Sequence, residues 1–340
     1  MIKKVLIGLM IVLVVVTLVY LDLIVYGIGQ GLGQLKVLRE ARPIEELLND
    51  PEVDEIQKAK LRQVGEIKEF AIDEIGLDNS ENYTTVYDQG DKPILWVVRA
   101  CEPYQLKNKE WRFPIVGTVS YKGFFNLEKA KKLREELQNE NYDTYIREVS
   151  AWSTLGWFKD PLMSGVLNDS EGGLANTIIH ELTHATIFFK DSLTFNENLA
   201  SFIGDKGAEL YLSSKYGANS DALNQYIFRK EDRGKFSNHF ILGTKKLDSL
   251  YRIIVDKPEE EKKLMKQEMI QDIVDNLDTV SFNNNNYNNR FREQLPNNAF
   301  FMSFLLYRSG QDKLDSLFRN RFNGKLPSMV KIMKESHPKH

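Results

Sequence analysis

The chain has 340 residues, of which 42% are apolar and 27% are charged, with 45 basic and 48 acidic side chains. This composition excludes a disordered chain, a collagen-like chain and a polytopic membrane protein, and the length allows a substantial core. A net charge of −3 gives no general basic field, so we expect no nucleic-acid partner. A single cysteine, Cys101, excludes an intramolecular disulfide and a thiolate zinc cluster, so a bound metal would need His and carboxylate ligands.

The N-terminal segment is strongly apolar. Lys3 and Lys4 precede an almost wholly apolar run from Val5 to Leu21, which is just long enough to cross a bilayer. No small-residue cleavage site ends the run, and no cysteine near it could carry a lipid. We therefore interpret residues 1–28 as an uncleaved membrane anchor, with a cleaved secretory peptide as the alternative. In both cases the domain at residues 29–340 is expected to face out of the cytoplasm.

Helix and strand patterns alternate in the first half of the chain. Apolar residues recur near the helical period from Ile44 to Leu77, with a break at Pro51. Pro93–Val98 and Thr144–Val149 are rich in β-branched and aromatic residues, which predicts strands. Between them, Leu127–Leu137 predicts a charged amphipathic helix.

The second half of the chain is predicted to be helical. From Gly172 the helical pattern continues nearly to the end, and the Asn-rich stretch 283–289 is predicted to be a surface loop. Three prolines mark expected helix starts or breaks: Pro258, Pro296 and Pro327. We expect an α+β fold with a small sheet in a mixed lobe at about 29–170, a helical lobe at about 171–340 and a cleft between them.

The residues that carry chemistry lie at this junction, in the H-E-x-x-H sequence at residues 180–184. An apolar stripe at helical spacing predicts that the segment is a buried helix; its members are Leu174, Ile178, Leu182, Ala185 and Phe189. On a helix, His180 and His184 lie one turn apart on one face and can reach one ion. Glu181 points beside that ion, where it can act as a general base without occupying a ligand position. The alternative is a pair of core histidines with a solvent-facing glutamate.

Two imidazoles leave a catalytic zinc short of a third protein ligand, and Glu197 is the candidate. It begins a predicted second helix, antiparallel to the first, on which small residues form one narrow face: Ala200, Ser201, Gly204 and Ala208. Such a face lets two helices approach closely enough for Glu197 to reach the ion. The alternative is a capping box, in which Thr194 and Glu197 would bond to the helix start.

His180–His184 followed by Asn196, Glu197 and Ala200 resembles the gluzincin metallopeptidases. More narrowly, the chain resembles a bacterial family of predicted aminopeptidases over nearly all of its length beyond the anchor. The motifs that carry this resemblance are Trp111–Gly117, Tyr121–Phe125, Ser153–Phe158 with Asp160-Pro161, the zinc signature and Asn297–Ala299. Members of that family often start with a lipoprotein signal, whose cysteine this sequence lacks.

The resemblance implies a zincin-like metallopeptidase with one Zn²⁺, a peptide substrate and a place on the periplasmic side of a bacterial cell membrane. Zinc held by His180, His184 and Glu197 would activate water, and Glu181 would take the proton as base and pass it to the leaving amine. The resemblance supports the assignment as a metallopeptidase more firmly than the assignment as an exopeptidase.

The remaining site groups are weakly specified by the sequence. For substrate binding, second-shell support or oxyanion stabilisation, the candidates are Asn196, Asp205, Tyr287, Tyr307 and His239. An acidic group that fixes a substrate ammonium would be Glu102, Asp160 or Glu209. Residues 153–160 could pair with an extended peptide, as an edge strand does, or could form an ordinary aromatic loop.

Three functions from different classes follow. The first is an anchored zinc aminopeptidase, and the second is an endopeptidase that cuts proteins near the membrane. The third is a non-catalytic envelope binding protein with a structural metal, which an open fourth ligand position argues against.

Overall fold

The computed structural model describes residues 20–90, 92–113, 117–149, 159–190, 192–284, 294–308 and 310–336, together with residues 3, 4, 6, 10, 287 and 291. Within these residues, no helix combines the length and the apolar composition that crossing a membrane requires. Most of the predicted anchor lies outside the described residues, and its role stays a prediction.

The mixed half contains short strands and helices. Its helices are α1 (Leu21–Glu40), α2 (Ile44–Asn49), α3 (Glu55–Phe70) and α4 (Leu127–Asn139). Its strands are β1 (Arg42–Pro43), β2 (Thr85–Tyr87), β3 (Leu95–Cys101), β4 (Trp111–Phe113), β5 (Gly117–Val119), β6 (Lys122–Phe124), β7 (Asp143–Val149) and β8 (Leu162–Met163).

The helical half follows from residue 171. Its helices are α5 (Glu171–Thr186), α6 (Leu193–Tyr216), α7 (Asp221–Ile253), α8 (Glu259–Asp275), α9 (Asn298–Arg308), α10 (Gln311–Phe322) and α11 (Leu326–Ser336). Pro258 directly precedes α8, and Pro327 lies in the first turn of α11, where a missing backbone N–H costs no helical hydrogen bond. Of the predicted Asn-rich loop, Asn283 and Asn284 donate backbone N–H groups to the Asp232 carboxylate.

The sheet of the mixed half is divided into small pieces. Strand β3 lies between β6 and β7 and pairs antiparallel with both. A second sheet has the order β1-β2-β8, with β2 and β8 parallel, and β4 and β5 form a hairpin. Strand β3 is buried at nearly every position because α4 covers Val98 and Ala100, whereas Val97 faces the main core.

The predicted elements of the mixed half are confirmed with small shifts at their ends. The helical pattern over Ile44–Leu77 is interrupted after Asn49 and forms α2 and α3. A π-helical turn at Ala71–Ile75 extends α3, and Gly76 ends it with a φ of 86°. The α+β class is therefore confirmed, whereas the division into lobes at residue 170 stays a prediction.

Among the described residues, three groups of buried apolar side chains hold the fold together; the smallest lies between β3, β6 and α4 and contains Val98, Ala100, Phe124, Ala130 and Leu137. The main core joins the mixed half to α5 and α6, and its fully buried members include Ile67, Ile75, Leu174, Ile178, Leu182 and Ile203. We call the second group the aromatic cluster; its rings are Phe236, Phe240, Phe291, Phe300, Phe301 and Phe304. Helices α5 and α6 pack in the main core, whereas the aromatic cluster centres on α7 and α9.

The two asparagines of the Asn297–Ala299 motif tie α9 to the sheet. Asn297 Nδ2 donates to Thr144 O at 2.8 Å, and Asn298 N donates to the Asp143 carboxylate at 2.9 Å. The fully buried Asn298 amide also accepts a bond from the Tyr251 hydroxyl at 2.7 Å. A buried amide with satisfied partners fixes one packing arrangement, so this part of the family motif has a structural role.

Candidate metal centre

Helix α5 carries the H-E-x-x-H residues. Its N-terminus is capped by Ser170 Oγ, which accepts a hydrogen bond from Gly173 N at 3.3 Å. The predicted apolar stripe is buried, and its members Leu174, Ile178 and Leu182 are 0% exposed. Burial of this stripe fixes the rotation of the helix and leaves the histidine face toward α6.

Helix α6 runs antiparallel to α5 at close range. Early residues of α5 contact late residues of α6, as in the bond from the Tyr211 hydroxyl to Glu171 Oε1 at 2.9 Å. A Cβ on Gly204 would lie 2.9 Å from Asn176 O and 3.2 Å from His180 Cβ. The predicted close approach of the two helices is confirmed at Gly204, because a side chain there would push the helices apart at His180.

His180, His184 and Glu197 converge between α5 and α6, which we call the metal helices. The Nε2 atoms of the two imidazoles are 3.1 Å apart, and their ring planes are inclined by 80°. Glu197 places one carboxylate oxygen 3.4 Å from His184 Nε2 and the other 3.8 Å from His180 Nε2. The three side chains together form a group that could hold one metal ion. Thr194 lies inside α6 rather than at its cap, so the alternative capping box does not form.

The donor atoms fit zinc. A tetrahedral ion with Zn–N and Zn–O distances of about 2.0–2.1 Å places its ligand atoms about 3.3–3.4 Å apart. The three observed separations, 3.1, 3.4 and 3.8 Å, bracket this value. The side chains of His180 and Glu197 keep 20% and 25% of their surface exposed, so solvent reaches the group from one side.

Burial tunes the protonation of this group. It lowers the pKa of His180 to about 4, so the imidazole is neutral at pH 7 and can offer its lone pair to a metal. Burial also raises the pKa of Glu197, while the positive charge of Arg147 lowers it. Arg147 belongs to strand β7, so a cation of the mixed half acts on the metal group of the helical half.

Glu181 is surrounded by polar groups from the mixed half. Its pKa is raised to about 8, first by burial and then by the charges of Glu197 and Asp160. The nearby Tyr83 hydroxyl partly offsets this rise in the pKa of Glu181. A carboxyl group with a raised pKa beside a metal-binding group is typical of a general base.

The family of the chain follows from a comparison with known proteins. A family model described as "Putative aminopeptidase" matches residues 26–337. The chain belongs to this family. Membership implies a peptidase that acts on a peptide substrate, and it confirms the resemblance that the sequence motifs indicated. No curated protein and no solved structure matches the chain significantly.

Two other predicted site residues, Asn196 and Asp205, form hydrogen bonds that hold the helices in place. Asn196 Nδ2 donates to Phe189 O, and its Oδ1 accepts from Phe189 N, both at 2.8 Å. This buried pair of hydrogen bonds closes the loop between α5 and α6.

Asp205 accepts hydrogen bonds from Asn176 Nδ2 at 3.0 Å and from the Tyr226 hydroxyl at 2.8 Å. We correct the expectation that it partners an imidazole, because eight residues after Glu197 the helix has turned it toward α7.

Two of the oxyanion candidates of the helical half, Tyr287 and His239, lie in or beside the aromatic cluster. The Tyr287 ring packs 4.8 Å from Phe282 and 5.2 Å from Phe236, and its expected place over the metal stays a prediction. His239 Nε2 lies 2.7 Å from Ile273 O, so this ring nitrogen already has a partner within the fold. The side chain of Tyr307 lies outside the described part of the structure, as do residues 153–158.

The three candidates for binding a substrate ammonium are widely dispersed. Asp160 is 1% exposed and lies close enough to Glu181 to raise its pKa. Glu209 forms ion pairs with Lys206 and Lys230. The backbone carbonyl of Glu102 accepts a hydrogen bond from Asn298. Among these three residues, only Asp160 acts electrostatically on the described metal group and its neighbours.

Tyr83 and Arg147 are the site residues that sequence reasoning missed. Tyr83 reaches Glu181 from the loop before β2, and Arg147 acts on Glu197 from β7. Neither residue lies in a motif, and each contact joins segments far apart in the chain. Arg147 lies in a predicted strand, where a charged side chain that becomes buried needs a partner. The sequence does not identify that partner.

Proposed function

We propose that the chain is a zinc-dependent peptide hydrolase and, more narrowly, an aminopeptidase. The observation that carries the proposal is the convergence of His180, His184 and Glu197 within metal-binding distance, with Glu181 beside them. The description of the family supports a peptide substrate with a free amino end.

The three converging side chains would hold the ion, and their geometry favours a catalytic over a structural site. Structural zinc sites close the coordination shell with four protein ligands, whereas catalytic sites keep one position open. Three donors form the group found among the described residues, and it remains accessible to solvent. When bound, zinc polarises the scissile carbonyl and lowers the pKa of water at its open position toward neutrality.

Glu181 would move the protons. Its carboxylate accepts a proton from the attacking water and donates it to the leaving amine as the peptide bond breaks. In the absence of a dication, the raised pKa of Glu181, about 8, places its proton exchange near neutral pH. A bound dication would favour the ionised carboxylates of both Glu181 and Glu197.

Anchoring outside the cytoplasm is a separate part of the proposal. It is supported by the sequence of residues 1–28 alone, where Lys3 and Lys4 precede the apolar run Val5–Leu21. Protease added to intact spheroplasts should then degrade the globular part of the chain. Protection in intact spheroplasts and degradation only after their lysis would contradict this location.

A peptide panel tests the activity. The purified protein, with and without chelator, is given pairs of peptides that differ only in a free or an acetylated N-terminus. We expect cleavage that releases N-terminal residues from the free peptides, stops on chelation and returns with zinc. Cleavage of both members of each pair at internal bonds would identify an endopeptidase. A zinc-loaded protein that cleaves neither would contradict the proposed function.

A further inference from the structure

Helix α1 is apolar on two opposite faces. One face packs on the mixed half: Val37 is 1% exposed, and Gly123 O accepts hydrogen bonds from the Tyr26 hydroxyl at 3.0 Å and from Gln30 Nε2 at 3.1 Å. The other face points away from the described residues, and its five apolar side chains are between 46% and 63% exposed. A helix that is apolar all round is normally buried, so this second face calls for a partner. We call it the seam; its members are Leu21, Val25, Ile28, Leu32 and Leu35.

The spacing of the seam is that of a coiled coil. Its members follow one another at intervals of four, three, four and three residues, which is the heptad spacing that places apolar side chains on one narrow strip. The next position of the series is Arg39, whose side chain is 82% exposed, so the apolar strip ends there. Beside the strip, a Cβ on Gly31 would meet nothing within 4 Å, which lets a second helix approach closely. The seam therefore fits another helix with the same spacing.

Lipid accounts for only the first part of the seam. The apolar run of the proposed anchor begins at Val5, and about 20 residues cross the hydrocarbon core, so the core ends near Ile24. Helix α1 rises about 1.5 Å per residue, which places Leu32 and Leu35 about 12 Å and 16 Å farther along its axis. The headgroup layer adds only about 5–8 Å. These two side chains would therefore stand in water unless protein covers them.

A helix that lies flat on the membrane would place the whole seam in lipid, but the charges of α1 do not favour this arrangement. Helices of that kind carry Lys and Arg on their polar face, where these residues meet anionic headgroups. Between Asp22 and Lys36, α1 has no charged side chain, and Asp22 itself is acidic. A second protein helix matches the seam better than a lipid surface.

We propose that the seam binds the seam of a second copy of this chain in a parallel coiled coil. Two copies anchored by the same N-terminal run enter the membrane in the same direction, so their α1 helices lie parallel and equal positions meet. A contact of this length is weak in solution, and confinement of both anchors to one membrane raises the effective concentration of the partners. This inference rests on the anchoring proposed above and is independent of the metal centre.

Disulfide cross-linking of the full-length chain in membranes tests the pairing. The native thiol of Cys101 is buried, so a single new cysteine is the reactive group. A disulfide spans Cα atoms about 4.4–6.8 Å apart, and equal seam positions of two paired helices come this close. We expect oxidation to convert most of Ile28→Cys and most of Leu32→Cys to dimers. Gly27→Cys is the matched control, because a Cβ there is open to solvent but lies to one side of the seam; its dimer should be about tenfold less abundant.

A charge placed in the seam gives a second measurement. In the Ile28→Cys background, Leu32→Glu should lower the dimer yield by about tenfold, because the carboxylate would be buried between two apolar helices. Leu32 is 63% exposed in the single chain, so the substitution leaves the fold of the domain intact. Circular dichroism of the purified variant checks this.

Several results would overturn the inference. Equal dimer yields for Ile28→Cys, Leu32→Cys and Gly27→Cys would show random collision rather than pairing. A monomeric Leu32→Cys chain that reacts with a membrane-impermeant maleimide would show an uncovered seam, and one that is protected from it would assign the seam to lipid. A chain that leaves the membrane without detergent contradicts the anchoring alone. Cross-linking of its seam cysteines in solution would then support the pairing, and its absence would overturn it.

Discussion

Histidine occurs on α5, one of the metal helices, and beside the aromatic cluster on α7, and its ring nitrogens have opposite uses in the two places. In α5, the Nε2 atoms of His180 and His184 face each other and Glu197, so the lone pairs converge on one point. In α7, His239 turns Nε2 to the carbonyl of Ile273 and packs its ring 5.3 Å from Phe240. The first arrangement leaves ligand atoms ready for a cation, and the second uses them within the fold.

This difference shows what separates a ligand histidine from a structural one. Both kinds lie on long helices, and burial alone does not distinguish them. The distinguishing feature is where the ring nitrogen finds its partner: at other ligand atoms around a shared point, or at a backbone carbonyl of the neighbouring helix. Substitutions at the metal helices should therefore affect function, and substitutions in the aromatic cluster should affect stability.

The largest effect should come from Glu181→Gln. We expect peptide cleavage to fall by about 10²- to 10⁴-fold because the amide cannot take up the proton, with zinc content unchanged. Glu171→Gln, on the same helix but bonded to Lys215 and Tyr216, is the control that should retain activity. Steady-state kinetics with metal analysis measures both. Full activity in Glu181→Gln would end the assignment of Glu181 as base.

Phe240→Ala tests the other side of the comparison. Phe240 is 0% exposed within the aromatic cluster, so truncation should lower the free energy of unfolding by about 3–5 kcal/mol. Zinc affinity of the folded protein should not change, because the metal helices belong to the main core. Phe228→Ala, on the same helix but 48% exposed, is the control that should cost little. Loss of zinc affinity in folded Phe240→Ala would contradict the separation of the two regions.

Gly204→Ala should affect both stability and metal binding. The new methyl would lie 2.9 Å from the carbonyl oxygen of Asn176, a backbone atom that cannot rotate away. We expect about 1–3 kcal/mol of destabilisation from overpacking, and weaker zinc binding because α6 moves Glu197 away from the imidazoles. Gly65→Ala, in α3 with nothing within 4 Å of the added methyl, should instead be neutral or stabilising. Chemical denaturation measures the loss of stability, and zinc titration measures the loss of affinity. Full zinc affinity in Gly204→Ala would show that close packing at Gly204 does not position Glu197.

The smallest effect should be a pH dependence of stability from Cys101. Burial raises the pKa of this thiol to about 12, above its unfolded value. The folded state therefore keeps a proton that the unfolded state loses above about pH 8.5, and stability falls as pH rises, by about 1 kcal/mol between pH 7 and 9.5. Cys101→Ala should lack this part of the pH dependence. Equal pH slopes in the two proteins would show that the thiol is not buried as described.

The part of the site that could be predicted from sequence is the part that is local or periodic. His180, Glu181 and His184 occupy one helical turn, and the small face of α6 repeats with the helix, so spacing alone placed Glu197 opposite them. The same spacing argument misplaced Asp205, because a polar residue on a helix can bond to a third helix whose position the sequence does not give.

Tyr83 and Arg147 could not be predicted as neighbours of the site. The predicted supporting residues lie mainly in the helical half, where Tyr287 packs against the aromatic cluster and His239 contacts α8. The structure brings Tyr83 and Arg147 from the mixed half to the metal group. Their approach depends on a left-handed residue and on strand register, and hydrophobic periodicity carries no information on either.

The convergence of His180, His184 and Glu197 on one divalent ion is the central claim, and crystals of the zinc-loaded protein test it most directly. Anomalous scattering recorded at the zinc edge should give one peak between α5 and α6, ligated by His180 Nε2, His184 Nε2 and the Glu197 carboxylate. A zinc-saturated crystal in which these three side chains carry no ion, or in which the peak lies on other residues, would contradict the account.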